Sequence, residues 1–141
     1  SAIGAMTRLQ DVGIEPFLLS STLLGVIAQR LIRKLCADCK QAYLATETDC
    51  HDLGISVTKR PQLYKAKGCE ACAGSGYRGR TGIYEIVLVD DHLRTMIHEK
   101  VSEQKMEEYS HQSYPNMRKD GNQRVLAGET TIEEVLRVTL E

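Results

Sequence analysis

Apolar and polar positions follow two different periods along the chain. Residues 2–12 carry Ile3, Met6 and Leu9 at helical spacing, and Gly13 is a natural stop behind them. Pro16 suits the first turn of a second helix, predicted over 17–28. Leu31, Ile32 and Leu35 then mark a short strand, 31–35, that runs directly into Cys36. Residues 40–68 form a polar excursion, with a helical turn predicted at 49–53 and a strand at 62–66. A glycine cluster (Gly74, Gly76, Gly79, Gly82) precedes the clearest strand in the chain, 83–89. From Asp90 onward the pattern is helical. Asp90 or Asp91 caps a helix through Lys100, Ser102 with Glu103 opens another through Tyr109, and a third spans 116–126 and ends near Gly128. The run Thr130-Thr-Ile-Glu133 reads as a capping box, opening a final helix with Ile132, Val135, Leu136 and Val138 on its buried side.

Composition narrows the class. Apolar residues make up 42% and charged residues 26% of the 141, an ordinary balance for a globular chain. With no Trp, one Phe (Phe17) and six Tyr, the core has to be built from Leu, Ile, Val and Ala. A net charge of −1 gives no general attraction to nucleic acid or to an anionic membrane. The most apolar stretch, 17–28, is broken by Ser20, Ser21 and Thr22 and falls short of the roughly 20 apolar residues that a spanning helix needs. No signal peptide opens the chain, and Ser1 is not a natural start, so the N-terminus reads as a boundary inside a longer protein.

The cysteines change the picture most. Four of the five fall into two C-x-x-C pairs, Cys36/Cys39 and Cys69/Cys72, with Cys50 left over. An odd count without a secretory signal argues against a disulfide framework and for reduced thiolates in cytoplasm. Two such pairs on a long connection fit a closed tetrahedral Cys₄ site, each pair supplying two sulfurs from one tight turn. Lys34 and Lys40 flank the first pair and Lys67 precedes the second, which favours thiolates and offsets the site's charge of about −2. Gly68 and Gly74 give the second knuckle its turning freedom. With all four positions taken by protein, such a zinc is structural rather than catalytic. Chance buried thiols and a thioredoxin-type dithiol are the competing readings, but neither pair opens a helix after a strand. Iron has no specific support, since a closed set of four thiolates suits zinc first. Cys50 and His51 lie outside the paired geometry, Cys50 reading as a free surface or core thiol, and His92, His98 and His111 read as solvated helix residues.

Other signals fail on context. Residues 74–79 (GSGYRG) match a dinucleotide fingerprint literally, yet a cysteine knuckle precedes them and a strand follows, so no helix N-terminus meets a pyrophosphate. The phosphate-loop pattern G-x-x-x-x-G-K-[ST] is absent, as are H-E-x-x-H and G-x-S-x-G. Catalysis by this chain alone has no support in the sequence.

Three segments carry a family resemblance: GAMTRLQDVGIEPFLLSSTLLGVIAQRLIRKLC, CEACAGSGYRGRTGIYEIVLVDD and NMRKDGNQRVLAGETTIEEVLRV. They resemble, in order and spacing, the C-terminal region of the secretion and type IV pilus assembly ATPase superfamily, and within it the type II secretion ATPases (the general secretion pathway protein E family). The type IV pilus assembly ATPases share most of this pattern, whereas the retraction ATPases lack the cysteine module. Residues 40–67 carry little of the likeness.

The resemblance implies an α/β fragment. Residues 1–35 would be the end of a RecA-like ATPase core and 36–72 a tetracysteine zinc-binding module inserted into it. Residues 73–90 would be a Gly/Arg-rich loop and strand returning to the core, and 91–141 a C-terminal helical domain. In the family the Walker A, Asp box, Walker B and His box all precede the matched region, so ATP and Mg²⁺ would be bound only in the intact parent. That parent would be a cytoplasmic hexameric motor, peripheral at the bacterial inner membrane, extending a pseudopilus. Its partners would be other subunits of the hexamer and the L-type and F-type platform proteins, with neither nucleic acid nor direct membrane insertion. Arg8 (in GAMTRL) and Arg80 (in RGRTG) match family arginines linked to nucleotide turnover, as auxiliary residues that neutralise developing charge. Arg30 and Arg33 read as structural. An independent zinc-ribbon binding module is the alternative of a different class, opposed by the neutral charge, the lack of stacking aromatics and the helical tail. A small domain that zinc merely staples is the third.

Overall fold

The computed structural model describes residues 1–140. Its elements run α1 (Ala2–Asp11), α2 (Pro16–Thr22), β1 (Gly25–Leu35), β2 (Gln41–Leu44), α3 (Glu47–Leu53), β3 (Gln62–Lys65), β4 (Tyr77–Leu88), α4 (Asp91–His98), α5 (Glu103–Ser113), α6 (Met117–Leu126) and α7 (Ile132–Thr139). A 3₁₀ turn at Glu70–Cys72 precedes β4. The strands form two two-stranded sheets, β1 with β4 and β2 with β3. The chain divides into two compact units, Ser1–Gln29 with Tyr84–Met117, and Arg30–Ile83 with the segment from Arg118 onward. It passes from one unit to the other within β1 and returns within β4.

The first unit is assembled from capped helices and an aliphatic core. Ser1 caps α1 by accepting from the Gly4 N–H at 3.0 Å, and Asp90 caps α4 by accepting from Leu93 at 2.8 Å. Ser102 caps α5 in the same manner. Their inward faces bring Ala2, Ile3, Met6, Leu19, Leu93, Ile97 and Met106 together with Val87 and Val89. Two sequence expectations need correction here. The helix expected over 17–28 ends at Thr22, because Leu23 is already extended and Gly25, Val26 and Ile27 enter β1. Val and Ile are β-branched and prefer that pleated pairing, and a Cβ on Gly25 would stand 3.1 Å from the Val87 carbonyl. His111 is not simply solvated: its Nε2 lies 3.4 Å from Oε1 of Glu85, a carboxylate that β4 buries.

The second unit is smaller-grained. β2 and β3 pair antiparallel, from Gln41 opposite Lys65 to Leu44 opposite Gln62. Thr46 and Asp49 close a capping box on α3. Ile32, Leu63, Val125, Ile132 and Val135 are buried. Gly121 lets α6 approach α7, since a Cβ there would meet Val135 Cγ1 at 2.5 Å. The final cap is shifted by one residue from the expected box. Thr131, not Thr130, accepts from the Glu134 N–H at 3.3 Å, while the Thr130 hydroxyl donates to the Arg33 carbonyl at 2.8 Å. The shift turns Glu134 inward and Glu133 outward. β4 also begins at Tyr77, earlier than expected, with Gly79 and Gly82 inside the strand rather than in a loop. Among the described residues no helix is long and apolar enough to cross a membrane.

Candidate metal centre

β1 delivers the first knuckle. Its last residue, Leu35, is followed by Cys36, whose N–H donates to the Gly76 carbonyl at 2.9 Å, and the chain then turns so that Lys40 N–H reaches the Cys36 carbonyl at 3.0 Å. The second knuckle turns on backbone that side chains disfavour. Gly68 has φ 105°, and a Cβ there would lie 2.5 Å from the Gly74 carbonyl oxygen. Ala73 takes a left-handed conformation at φ 53°, and Gly74 N–H closes the turn on the Cys69 carbonyl at 2.8 Å.

The two knuckles bring Cys36, Cys39, Cys69 and Cys72 together with all four sulfurs within 4.8 Å of one another. Cys36 Sγ lies 3.8 Å from Cys69 Sγ, Cys39 Sγ lies 3.8 Å from Cys72 Sγ, and the Cys69 and Cys72 sulfurs are 3.7 Å apart. A tetrahedral zinc with Zn–S bonds of about 2.3 Å requires sulfurs about 3.8 Å apart. The donor set therefore fits a tetrahedral metal ion in both chemistry and size, and the spacing is too wide for any of the pairs to be a disulfide, whose S–S bond is about 2.05 Å. The N–H groups of Cys69 and Gly76 each donate to Cys72 Sγ at 3.2 Å. Burial pushes the Cys72 thiol up, but those two N–H donors and the neighbouring sulfurs outweigh it and bring it down to about 6. At Cys39 burial dominates, and with hydrogen bonds to the other three sulfurs it raises the thiol to about 11 despite the Gly68 N–H. Four sulfurs this close cannot all ionise without a cation among them.

The remaining expected residues have plainer roles. The Lys40 ammonium donates to the Gly128 carbonyl at 2.9 Å and sits 4.4 Å over the Tyr64 ring, so it braces the knuckle against the α6–α7 turn. Cys50 is buried in the core apart from the cluster. Arg8 is exposed on α1 in the first unit, and Arg80 is exposed on β4 in the second. One residue escaped the sequence: Glu134, 2% exposed, accepts from Arg33 Nη2 at 2.7 Å and from Arg137 Nη2 at 2.9 Å. Desolvation opposes its charge, but both guanidiniums and the Arg33 backbone N–H hold its carboxyl down at about 2. Arg33, read as structural, has its guanidinium in this pair and also lies 4.2 Å over the Tyr77 ring. Arg33 and Glu134 stand 101 residues apart, and nothing local in the sequence pointed to their pairing.

Comparison with known proteins adds the lineage. A family model described as Type II/IV secretion system protein matches residues 1–137. Type II secretion system protein E of Pseudomonas aeruginosa is 57% identical over 141 residues, covering 100% of this chain. Type II secretion system ATPase E of Vibrio cholerae is 53% identical over 142 residues, again across 100% of the chain. A putative type II secretion system protein E of Escherichia coli is 43% identical over 98% of the chain. The chain spans only about 28% of the length of each of these relatives.

Proposed function

The chain belongs to the Type II/IV secretion system protein family, and from that premise we propose that it is the C-terminal, zinc-binding part of the cytoplasmic hexameric ATPase that powers type II protein secretion. The parent hydrolyses ATP with Mg²⁺ through a phosphate-binding half outside these residues, and is peripheral at the inner membrane. It drives pseudopilus assembly against its sister subunits and the L-type and F-type platform proteins. This segment's own task is structural and interactive. Residues 1–35 end the RecA-like core, 36–72 form the zinc module, 73–90 return to the core and 91–141 form the C-terminal helical domain. Arg8 and Arg80 serve nucleotide turnover in the assembled motor. The type II reading stands ahead of the type IV pilus one because the relatives covering the whole chain bear type II names.

The single observation that carries the proposal is the tetracysteine geometry: four thiols from two knuckles at the spacing of a tetrahedral zinc site, in a chain of this family. Cys36, Cys39, Cys69 and Cys72 would hold the ion. A closed Cys₄ zinc supplies a cross-link and offers no open position to a water or substrate. The chain's own residues do the rest. Gly68, Ala73 and Gly74 set the second turn, the Cys69 and Gly76 N–H groups orient Cys72, and Lys40 ties the first knuckle to Gly128. A further support is the apolar surface of the first unit. Leu24, Ile27, Ile86 and Leu88, on or beside the paired strands β1 and β4, are 49–79% exposed, in keeping with the edge of a larger core.

The test is complementation by a Cys69→Ser variant in the intact protein, run beside nucleotide-binding titrations. Secretion should be lost while nucleotide binding is largely kept. Secretion at the wild-type level in a variant shown to be zinc-free would make the module dispensable and the proposal wrong.

A further inference from the structure

The helices that follow β4 do not share one core. α4 and α5 lie in the first unit, whereas α6 and α7 lie in the second, with the cysteines. These last two are short, at 10 and 8 residues, below the roughly 12–15 that an isolated helix needs to hold its own order in water. α6 is mostly polar and buries only Gly121 and Val125. The turn between the two helices is gripped from both sides of both knuckles. Ahead of Cys36, the Leu35 N–H donates to the Glu129 carbonyl at 2.8 Å, and the Arg33 carbonyl accepts from the Thr130 hydroxyl at 2.8 Å. Behind Cys39, the Lys40 ammonium donates to the Gly128 carbonyl at 2.9 Å. Ahead of Cys69, Tyr64 packs so closely on the turn that a Cβ at Gly128, where φ is 78°, would stand 3.0 Å from its ring. Behind Cys72, the Tyr77 hydroxyl meets Thr131 Oγ1 at 2.9 Å.

We propose that the knuckles latch these helices: α6 and α7 stay docked while the four sulfurs are held together, and come away as a pair when the sulfurs part. The latch rests on the zinc reading of the cluster. Each of these contacts is weak by itself, and together they count only while their donors are kept in register. Register is what the cluster supplies. Arg33, Leu35 and Lys40 bracket the first knuckle, and Tyr64 and Tyr77 lead into and out of the second, so without a cross-link the two groups move independently. Glu134 carries the tie into α7 itself, since its Oε2 accepts from the Arg33 backbone N–H at 2.9 Å. The first unit holds no cysteine of the cluster, so α4 and α5 keep their place on Leu93, Ile97 and Met106. The state of residues 36–72 is thus read outside them, by the helices between Met117 and Thr139.

The test is hydrogen exchange read by mass spectrometry on the zinc-loaded chain, before and after a chelator removes the ion, with zinc content measured on the same samples. Removal should speed exchange of the α6 and α7 amides about tenfold or more, while those of α4 and α5 change little. Lys40→Met takes away one jaw of the latch and no sulfur. It should keep one zinc per chain and still speed exchange around Gly128 and in the adjoining turns of α6 and α7 about tenfold. Lys40→Arg, which keeps a charged donor, should restore most of that protection. Amides of α6 and α7 that stay protected in the zinc-free chain, or that Lys40→Met leaves unchanged, overturn the latch. Equal loss of protection across α4 and α5 overturns it too, because the release would then be global. A wild-type chain with well under one zinc overturns the zinc reading itself, and the latch falls with it.

Discussion

The two units of this chain share aliphatic burial but differ in what is added to it. In the unit containing α1, α4 and α5, Ile3, Met6, Val87 and Ile97 are 0% exposed, and cohesion is aliphatic burial. The unit containing the cysteines also buries Ile32, Leu63, Ile83, Val125 and Val135, and adds one sheet of four residues per strand, β2 with β3, and several discrete polar ties. These are the four sulfurs, the Glu134 pair of arginines, and the Lys40 bond to Gly128. The difference teaches where each unit is vulnerable. Burial is shared among many residues and fails gradually, whereas a cross-link made by four thiolates fails at once.

Removing the metal should have the largest effect. Structural zinc contributes about 10–16 kcal/mol of apparent binding free energy in small zinc domains, so a chelator should expose the amides of residues 36–72 to hydrogen exchange. The amides of α1, α4 and α5 should keep most of their protection, since no cysteine of the cluster belongs to their unit. Parallel loss of protection in both would mean that they melt as one cooperative body and would break the comparison. Met6→Ala reverses the emphasis. Met6 is 0% exposed, and its truncation should cost about 2–5 kcal/mol in urea unfolding of the first unit while leaving zinc content unchanged.

Glu134→Gln comes third. Its arginine partners are half exposed, so solvent screening limits the worth of the network to about 2 kcal/mol. The sign with pH follows from a folded carboxyl held at about 2 against an ordinary 4.5. The unfolded state takes up the proton first, so this contribution is fully present above about pH 5 and is lost as the pH falls toward 2. The gap in melting temperature between wild type and Glu134→Gln should therefore narrow between pH 6 and pH 3. A constant gap would mean that Glu134 acts through shape alone.

How much of this was legible in the sequence depended on range. The knuckles were readable because each needs only a four-residue spacing, helped in the second by Gly68 and Gly74, and Cys36, Cys39, Cys69 and Cys72 do converge. Caps at Asp90 and Ser102 were readable for the same reason, one side chain answering an N–H three residues on. The tail of α2 was misread because Gly25-Val-Ile-Ala is apolar in either state, and only pairing with β4 makes it a strand. Gly79 and Gly82 looked like loop because nothing local reports that a strand passes through them. Glu134 could not be picked out from the sequence, since its arginine on β1 is 101 residues away and the cap shifted by one residue.

The central claim is that four cysteines form one metal site, and the most direct measurement is the zinc-to-chain ratio by elemental analysis of wild type and Cys36→Ser. Wild type should carry one zinc per chain, and Cys36→Ser well under one after dialysis against a weak chelator, because one of four tetrahedral ligands is gone. A wild-type chain with well under one zinc, or a Cys36→Ser chain at full occupancy, would contradict the account.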